Sequence, residues 1–176
     1  MEMLGVKELV VRPAEAEEKA PDALPPAELV QALASHKARE VALRSGPGDI
    51  VVAADTVVWL ENRVFGKPKD EGEAAAMLRA LSGRTHAVIT GMALRTCGKT
   101  HTFSDTTEVD FKTLSEHEIR YYIEQYRPFD KAGAYGIQEW IGYVGITAIR
   151  GSYFNVMGLP VQKLYTELCD FLCSPA

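Results

Sequence analysis

Residues 50–60 read IVVAADTVVWL, an apolar run that is interrupted by the carboxylate of Asp55 and the hydroxyl of Thr56. The run is too short to cross a bilayer as a helix and is rich in β-branched residues, so we expect a buried strand over 50–54. Further strands over 57–60 and 63–65 are expected to form a hairpin around Glu61 and Asn62. Asp55 would then follow directly on the end of a buried strand.

Helical and extended segments alternate around this run. Helices are expected over 27–44, 71–81, 115–125 and 160–172, and other strands over 8–12, 85–96, 100–112 and 143–149. Pro26 suits the start of the first helix, and Ser115 with Glu118 forms a capping box for the third. The pattern predicts one α/β domain over residues 1–176, in which helices flank a mixed, twisted sheet.

The composition narrows the class of protein. With 176 residues, 47% of them hydrophobic and 24% charged, the chain has the profile of a soluble globular domain. The net charge of −5 disfavours a broad surface for duplex nucleic acid, and no apolar run approaches a membrane span. Residues 1–6 do not resemble a secretory signal, and the three cysteines include no CxxC pair. We therefore expect a cytoplasmic protein without a disulfide framework or membrane partner.

Asp55 is the clearest candidate for chemistry. An isolated carboxylate in an apolar segment is costly unless it is paired, hydrogen-bonded, bound to a metal or placed at a strand end. Ligands of α/β sheets often bind at the carboxyl ends of strands, which makes Asp55 a candidate general base or metal ligand. A capping or turn aspartate at a strand end explains the residue equally well, and both readings stay open.

Three other side chains could bind an anionic or polar ligand. Lys37 shares a helix face with apolar residues, so it either extends to the surface or points into a cleft. Lys67 lies between Gly66 and Pro68 and suits a phosphate oxygen, although an ordinary loop lysine fits too. Gln138 ends a glycine-rich loop and could contact a base edge through its amide, or belong to a simple turn.

The acidic loop and the histidines complete the candidates. Glu15, Glu17 and Glu18 could hold a magnesium ion that also contacts substrate phosphates, or they could be a solvated loop. No metal-ligand spacing links the four histidines, for which we expect structural or surface roles: His36, His86, His101 and His117.

Several of these segments together, in order, resemble the Maf family of nucleoside triphosphate pyrophosphatases. The matching segments are EAEE at 15–18, LASHKA at 33–38, ADTVV at 54–58, GKP at 66–68, LSGRTH at 81–86, DKAGAYGIQ at 130–138 and GSYFNVMGLP at 151–160. The resemblance covers nearly the whole chain and implies the Maf fold, which is similar to that of inosine triphosphatases.

The resemblance implies that a nucleoside triphosphate is hydrolysed to the monophosphate and pyrophosphate with a divalent cation, Mg²⁺ or Mn²⁺. It implies that Asp55 accepts the proton and that Glu17, Glu18 and Asp55 hold the metal. The substrate-binding positions that it implies are Lys37, Thr56, Lys67, Arg84, Lys131 and Gln138. The ADT and GIQ motifs are similar to those of the branch that favours dTTP and UTP over 7-methyl-GTP. A homodimer is also expected from the resemblance.

The start of the chain departs from the family pattern. Members usually open with a strand and an SxSPRR segment, whose serine and arginines hold phosphates, whereas residues 3–6 resemble the end of the helix that follows. We therefore expect the first strand and most of the first helix to be missing, and the activity to be impaired. The alternatives are a non-catalytic nucleotide-binding regulator of cell division and septum formation, and a scaffold protein that binds no nucleotide.

Overall fold

The computed structural model describes residues 6, 8–14 and 24–173. Its helices are α1 (Pro26–Ala42), α2 (Glu71–Leu81), α3 (Glu116–Tyr126), α4 (Trp140–Gly145), α5 (Tyr153–Val156) and α6 (Val161–Cys173). Its strands are β1 (Val51–Leu60), β2 (Arg63–Phe65), β3 (Thr85–Arg95), β4 (Thr100–Phe111) and β5 (Ile146–Arg150), and a 3-10 turn spans Ala132–Ala134. Among the described residues, no helix combines the length and apolar character needed to cross a membrane.

The described strands form one five-stranded sheet in the order β2-β1-β3-β4-β5. The α/β class with helices flanking a sheet is confirmed, but the expectation of mixed strand directions is corrected, because all four pairings are antiparallel. Tight connections at 61–62 and 96–99 join β1 to β2 and β3 to β4. A connection of this length can only join antiparallel neighbours, since parallel strands need a long crossover.

β1 is a single ten-residue strand, so the two strands expected over 50–54 and 57–60 are one. Asp55 lies in its middle, opposite Gly91 of β3, and not at a strand end. The ladder with β3 runs without a break from Val51 to Trp59 and outweighs the low strand propensity of an aspartate. The reading of Asp55 as a strand-end cap is therefore corrected.

Two other expected strands differ in the structure. Residues 8–12 form no strand, and Val10 and Val11 are exposed, because no described strand pairs with them. The strand expected over 143–149 begins only at Ile146, since residues 140–145 form α4. The turn before α4 is tight: a Cβ on Gly142 would lie 1.8 Å from the carbonyl oxygen of Ile137.

The two faces of the sheet pack against different helices. On one face, α1 places Ala34 and Ala38 against Val51 and Ala93. On the other face, α2 and α3 enclose the largest core cluster with Val58 and other residues, and α6 covers the part of the sheet around Met92 and Leu94. Because side chains alternate along a strand, neighbouring residues of β1 face different helical layers.

α1 approaches the sheet closely at Gly91. A Cβ on this residue would lie 2.3 Å from the carbonyl carbon of Val30 and 2.5 Å from the amide nitrogen of Gln31. Such distances are far below van der Waals contact, so only glycine allows the helix backbone to lie directly on β3 at this point. Gly91 is also the partner of Asp55 across the ladder, so this contact sets the height of α1 above Asp55.

A buried pair of polar rings lies on the opposite face. His86 Nε2 lies 2.7 Å from the hydroxyl of Tyr135, and Phe111 contacts both rings edge-on. Burial lowers the pKa of His86 to about 4, although the nearby Asp110 acts in the other direction. His86 therefore stays neutral at physiological pH and acts as a structural residue of the core.

We predict that Gly91→Ala destabilises the protein by about 1 to 3 kcal/mol, because the new methyl group forces α1 away from β3. Gly98→Ala in the turn between β3 and β4 is the matched control, since no described atom lies within 4 Å of its Cβ position. Urea denaturation measures both effects. Equal free energies of unfolding for the two variants would contradict the close contact at Gly91.

We also predict that His86 makes stability dependent on pH. Between its ordinary pKa of 6.5 and its folded value of about 4, the unfolded chain takes up a proton that the folded chain does not bind. The free energy of unfolding should therefore fall as the pH falls through this range, by on the order of 3 kcal/mol from this residue. In His86→Gln, denaturation at several pH values should show a shallower slope; an unchanged slope would count against this role.

Candidate active site

A cleft of about 320 Å³ opens beside β1, between α1, the loop over 130–138 and the residues that follow α5. β2 pairs only with the last three residues of β1, so the same edge of β1 over 51–57 has no strand partner among the described residues. Besides the phenol of Tyr135, seven polar side chains line the cleft: Lys37, Asp55, Thr56, Lys67, Asp130, Lys131 and Gln138. Apart from Asp130, each of them is a residue that the sequence suggested.

Lys37 and Asp55 form the centre of the cleft. Lys37 Nζ lies 2.8 Å from Asp55 Oδ2, and both side chains are mostly buried, with exposures of 22% and 11%. Asp55 Oδ1 accepts a hydrogen bond from the amide nitrogen of Thr56 at 2.8 Å. Oδ2 accepts no hydrogen bond from the described residues apart from this ion-pair contact. Lys37 thus points into the cleft and does not extend to the surface.

Thr56 faces the opposite side of the strand from Asp55. Its Oγ1 lies 2.9 Å from Thr90 Oγ1 on β3, within the sheet layer that packs against α5. Val58 and Val88 contribute apolar surface to the cleft, and Met157 and Gly158 also line it. The two neighbouring polar residues of β1 therefore contribute to two different walls of the same cleft.

The loop over 130–138 is held by a buried hydrogen-bond network. The Tyr122 hydroxyl on α3 donates to Glu139 Oε2 and accepts from the amide nitrogen of Gly136 at 2.9 Å. Glu139 Oε1 in turn lies 3.1 Å from Lys131 Nζ, which also contacts Asp130 at 2.8 Å. Burial and the Glu139 contact raise the pKa of Tyr122, so its hydroxyl keeps the proton that it donates. The network fixes Lys131 at the cleft and holds the backbone on both sides of Gln138.

Lys67 enters the cleft from the segment that follows β2. The carbonyl of Gly66 accepts a hydrogen bond from the amide nitrogen of Gly133 at 3.0 Å, which ties this segment to the loop over 130–138. Gly133 has φ +70° and would place a Cβ 2.8 Å from Val58 Cγ2, so glycine is required for the loop to lie against β1. Lys67 therefore has a fixed backbone and an exposed side chain.

Arg84 is not brought together with the other candidates. It lines a separate cavity of about 580 Å³ with Trp59 and Glu108, and its Nη1 lies 2.8 Å from Glu61 Oε2. Glu17 and Glu18 lie outside the described residues. Of the suggested residues, the cleft gathers six: Lys37, Asp55, Thr56, Lys67, Lys131 and Gln138.

Sequence reasoning missed the residues that support the cleft from behind. Tyr122 and Glu139 resemble an ordinary helix-core residue and an ordinary loop carboxylate, and Thr90 resembles any strand threonine. Asn155 had a detectable signal, because it lies in the GSYFNVMGLP segment, yet nothing in that segment gives it a role. The contacts of these residues are long-range, so local spacing does not reveal them.

The donor set suits a cation that is shared with a ligand. Among the described residues, no group of three His, Cys, Asp or Glu side chains could hold a metal ion. Asp55 nevertheless offers a mostly buried carboxylate whose Oδ2 is partnered by Lys37 Nζ alone among the described residues, and Mg²⁺ is often held by one or two carboxylates together with phosphate oxygens. One carboxylate of the cleft is thus available to a divalent cation that a phosphate-bearing ligand would bring.

Three lysines around one buried carboxylate are the side chains expected of a site for an anionic, phosphate-bearing ligand, and they lie in an α/β domain. The chain belongs to the Maf family: the family model described as "Maf-like protein" matches residues 1–171. The expected family is thereby confirmed.

Curated relatives are similar over most of the chain. A protein of Phocaeicola vulgatus is 52% identical over 165 residues, which cover 94% of this chain and 86% of the relative. Relatives from Bacteroides thetaiotaomicron and Flavobacterium psychrophilum are 46% and 49% identical, over 96% and 91% of this chain and 87% and 82% of their own lengths. Each of the three is named dTTP/UTP pyrophosphatase.

We predict that Tyr122→Phe loosens the loop over 130–138. The change leaves the Gly136 amide and one Glu139 oxygen without their partner, at a cost of about 1 to 3 kcal/mol in the free energy of unfolding. The Gly136 amide should also exchange its hydrogen faster. Tyr126→Phe is the control, because Tyr126 stacks on Tyr122 but its hydroxyl makes no hydrogen bond with the described residues. Equal exchange rates in both variants would contradict the network.

Proposed function

We propose that the protein hydrolyses nucleoside triphosphates, dTTP and UTP in particular, to the monophosphate and pyrophosphate. The observation that carries the proposal is the Lys37–Asp55 pair at 2.8 Å in a cleft that Lys67 and Lys131 also line. Relatives that are about half identical to this chain and named dTTP/UTP pyrophosphatase support the same reaction and the same substrates.

The lysines supply binding sites for the triphosphate. Lys37 approaches from α1 and Lys67 from the segment after β2, and both line the cleft, so a phosphate chain in the cleft would contact both. Each ammonium offsets part of the negative charge in a cleft that is partly shielded from water. Lys131 is already paired with Asp130 and Glu139, which offset its charge. We therefore propose that its main contribution is a hydrogen bond to the ligand.

Asp55 is the proposed general base. A water molecule beside Oδ2 would transfer its proton to the carboxylate while its oxygen forms a bond to the α-phosphorus. The bond between the α-phosphorus and the bridging oxygen breaks, and pyrophosphate leaves with the bonding electron pair. Lys37 lies 2.8 Å from Asp55 Oδ2, so its ammonium would orient the base.

The proposed cofactor is Mg²⁺ or Mn²⁺. Asp55 is the described carboxylate that would hold it, and Glu17 and Glu18 are proposed as further ligands. When bound, such a cation neutralises charge on the phosphates and stabilises the pyrophosphate that leaves. Arg84 lies too far along the sheet to line the cleft, so we propose no contact between it and the phosphates.

The base of the nucleotide is proposed to lie toward Thr56 and Gln138. The Gln138 amide can donate to a carbonyl oxygen of thymine or uracil, which leaves the N3–H of the base for Thr56. The proposal places the enzyme in the cytoplasm as a homodimer, on the basis of the family resemblance. Its role would be to remove nucleotides, including modified ones, before they enter nucleic acid.

We predict that Asp55→Asn lowers kcat for dTTP and UTP by roughly a hundredfold or more, because general-base catalysis contributes about 10² to 10⁴. Pyrophosphate release with Mg²⁺ measures the effect, and 7-methyl-GTP serves as the comparison substrate that should react slowly. Asp105→Asn is a matched control, since Asp105 also lies within a strand but does not line the cleft.

Two outcomes would contradict the proposal. Nucleotide binding without pyrophosphate release by the unmodified protein would indicate a binding or regulatory protein that shares the fold. Full activity of Asp55→Asn would show that another group accepts the proton, even if the substrates are correct.

A further inference from the structure

Three fully buried polar residues lie behind Thr56. Thr90 on β3, Thr107 on β4 and Asn155 on α5 have no exposed surface. Thr90 Oγ1 lies 2.9 Å from Thr56 Oγ1 and 3.3 Å from the main-chain oxygen of Asn155. A continuous polar path therefore runs from the cleft at Thr56 to the buried backbone of α5.

Asn155 anchors the inner end of this path. Its side-chain nitrogen donates to the carbonyl of Val88 at 3.1 Å and to Thr107 Oγ1 at 3.0 Å. The Val88 carbonyl can only accept, so the nitrogen and not the oxygen of the amide must face it. Thr107 in turn donates to the carbonyl of Ser152 and accepts from its amide nitrogen. These bonds hold α5 at one position relative to β3 and β4.

The hydrogen bonds along this path all run in one direction, from Thr56 through Thr90 to the main-chain oxygen of Asn155. A threonine hydroxyl carries a single proton, and the Asn155 carbonyl at the end of the path can only accept. When Thr90 donates its proton to that carbonyl, it must be the acceptor in its 2.9 Å contact with Thr56. The Thr56 proton is then directed into the sheet, and the lone pairs of Thr56 Oγ1 are what remains for a ligand in the cleft.

We propose that Thr90 is a positioning residue that makes Thr56 a hydrogen-bond acceptor, and that the site thereby selects bases whose ring nitrogen N3 carries a proton. The proposal rests on the proposed function above. Thymine and uracil carry such a donor at N3, whereas N3 of cytosine is an acceptor. Cytosine would place two acceptors against each other at Thr56 and would leave a partly buried group unpaired.

The magnitude of the discrimination follows from the cost of an unpaired group. A site that accepts a hydrogen bond from its ligand discriminates strongly against an analogue that lacks the donor. An apolar pocket discriminates less strongly between ligands that differ only in shape. Valine has nearly the volume of threonine, so a purely structural role at position 90 would be served without a hydroxyl. The hydroxyl of Thr90 changes the direction of the Thr56 proton and not the shape of the cleft.

The test compares Thr90→Val with the conservative variant Thr90→Ser. Calorimetry with Mg²⁺ measures the binding of the α,β-methylene analogues of UTP and CTP, which cannot release pyrophosphate by cleavage at the α-phosphorus. We expect the unmodified protein and Thr90→Ser to prefer the UTP analogue to a similar extent. In Thr90→Val that preference should fall roughly tenfold, because the Thr56 proton becomes free to turn toward the cleft.

The proposal is overturned if Thr90→Val keeps the full preference, or if the unmodified protein binds both analogues equally. If a thermal melt shows that Thr90→Val does not fold, the test uses the unmodified protein. Its binding of the UTP analogue is then compared with its binding of the N3-methyl form of that analogue. Binding that is at least tenfold weaker supports the acceptor role of Thr56, and equal binding overturns it. Because these are binding measurements, a lack of pyrophosphate release would contradict the proposed function alone.

Discussion

The contact between α1 and β3 at Gly91 is the constraint on which the cleft depends. The helix backbone lies directly on the strand there, because a Cβ would come within 2.3 Å of Val30. Lys37 is carried by the same helix, and Asp55 faces Gly91 across the ladder, so this spacing brings the two side chains to 2.8 Å. A bulkier residue at position 91 would move the ammonium away from the carboxylate without touching either.

The alternation of β1 then separates two kinds of chemistry. Asp55 faces α1 and its lysine, whereas Thr56 faces Thr90 and the layer that contains Asn155. Adjacent residues of a strand must point to opposite faces, so one dipeptide supplies a carboxylate to one wall of the cleft and a hydroxyl to the other. The edge of β1 over 51–57, which has no strand partner in the described part of the chain, would let a ligand contact both faces at once.

Sequence patterns predicted most of the fold but less of the site. Capping at Ser115, the alanine-rich helix over 71–81 and the β-branched strands are local signals, and their elements form as expected. The prediction that Asp55 follows the end of a strand was wrong. Pairing with β3 is a long-range interaction, and it keeps β1 extended on both sides of this polar residue. Motifs indicated six of the residues that line the cleft. Arg84 also belongs to a motif, but its place next to β3 directs it to the other cavity. The contact of Tyr122 with Gly136 could not be predicted, because no sequence motif links these two residues.

Catalysis and base recognition are coupled in the proposed reaction because they use neighbouring residues. The Cα atoms of Asp55 and Thr56 are joined by one peptide bond, about 3.8 Å apart, and lie within a strand that is paired with β3 on both sides of this position. A nucleotide whose base is displaced from Thr56 must also shift its α-phosphorus relative to Asp55. Misplacement of the reacting atoms by about 1 Å can lower a rate a hundredfold. A base that pairs poorly at Thr56 is therefore disfavoured twice, first in binding and again in the chemical step.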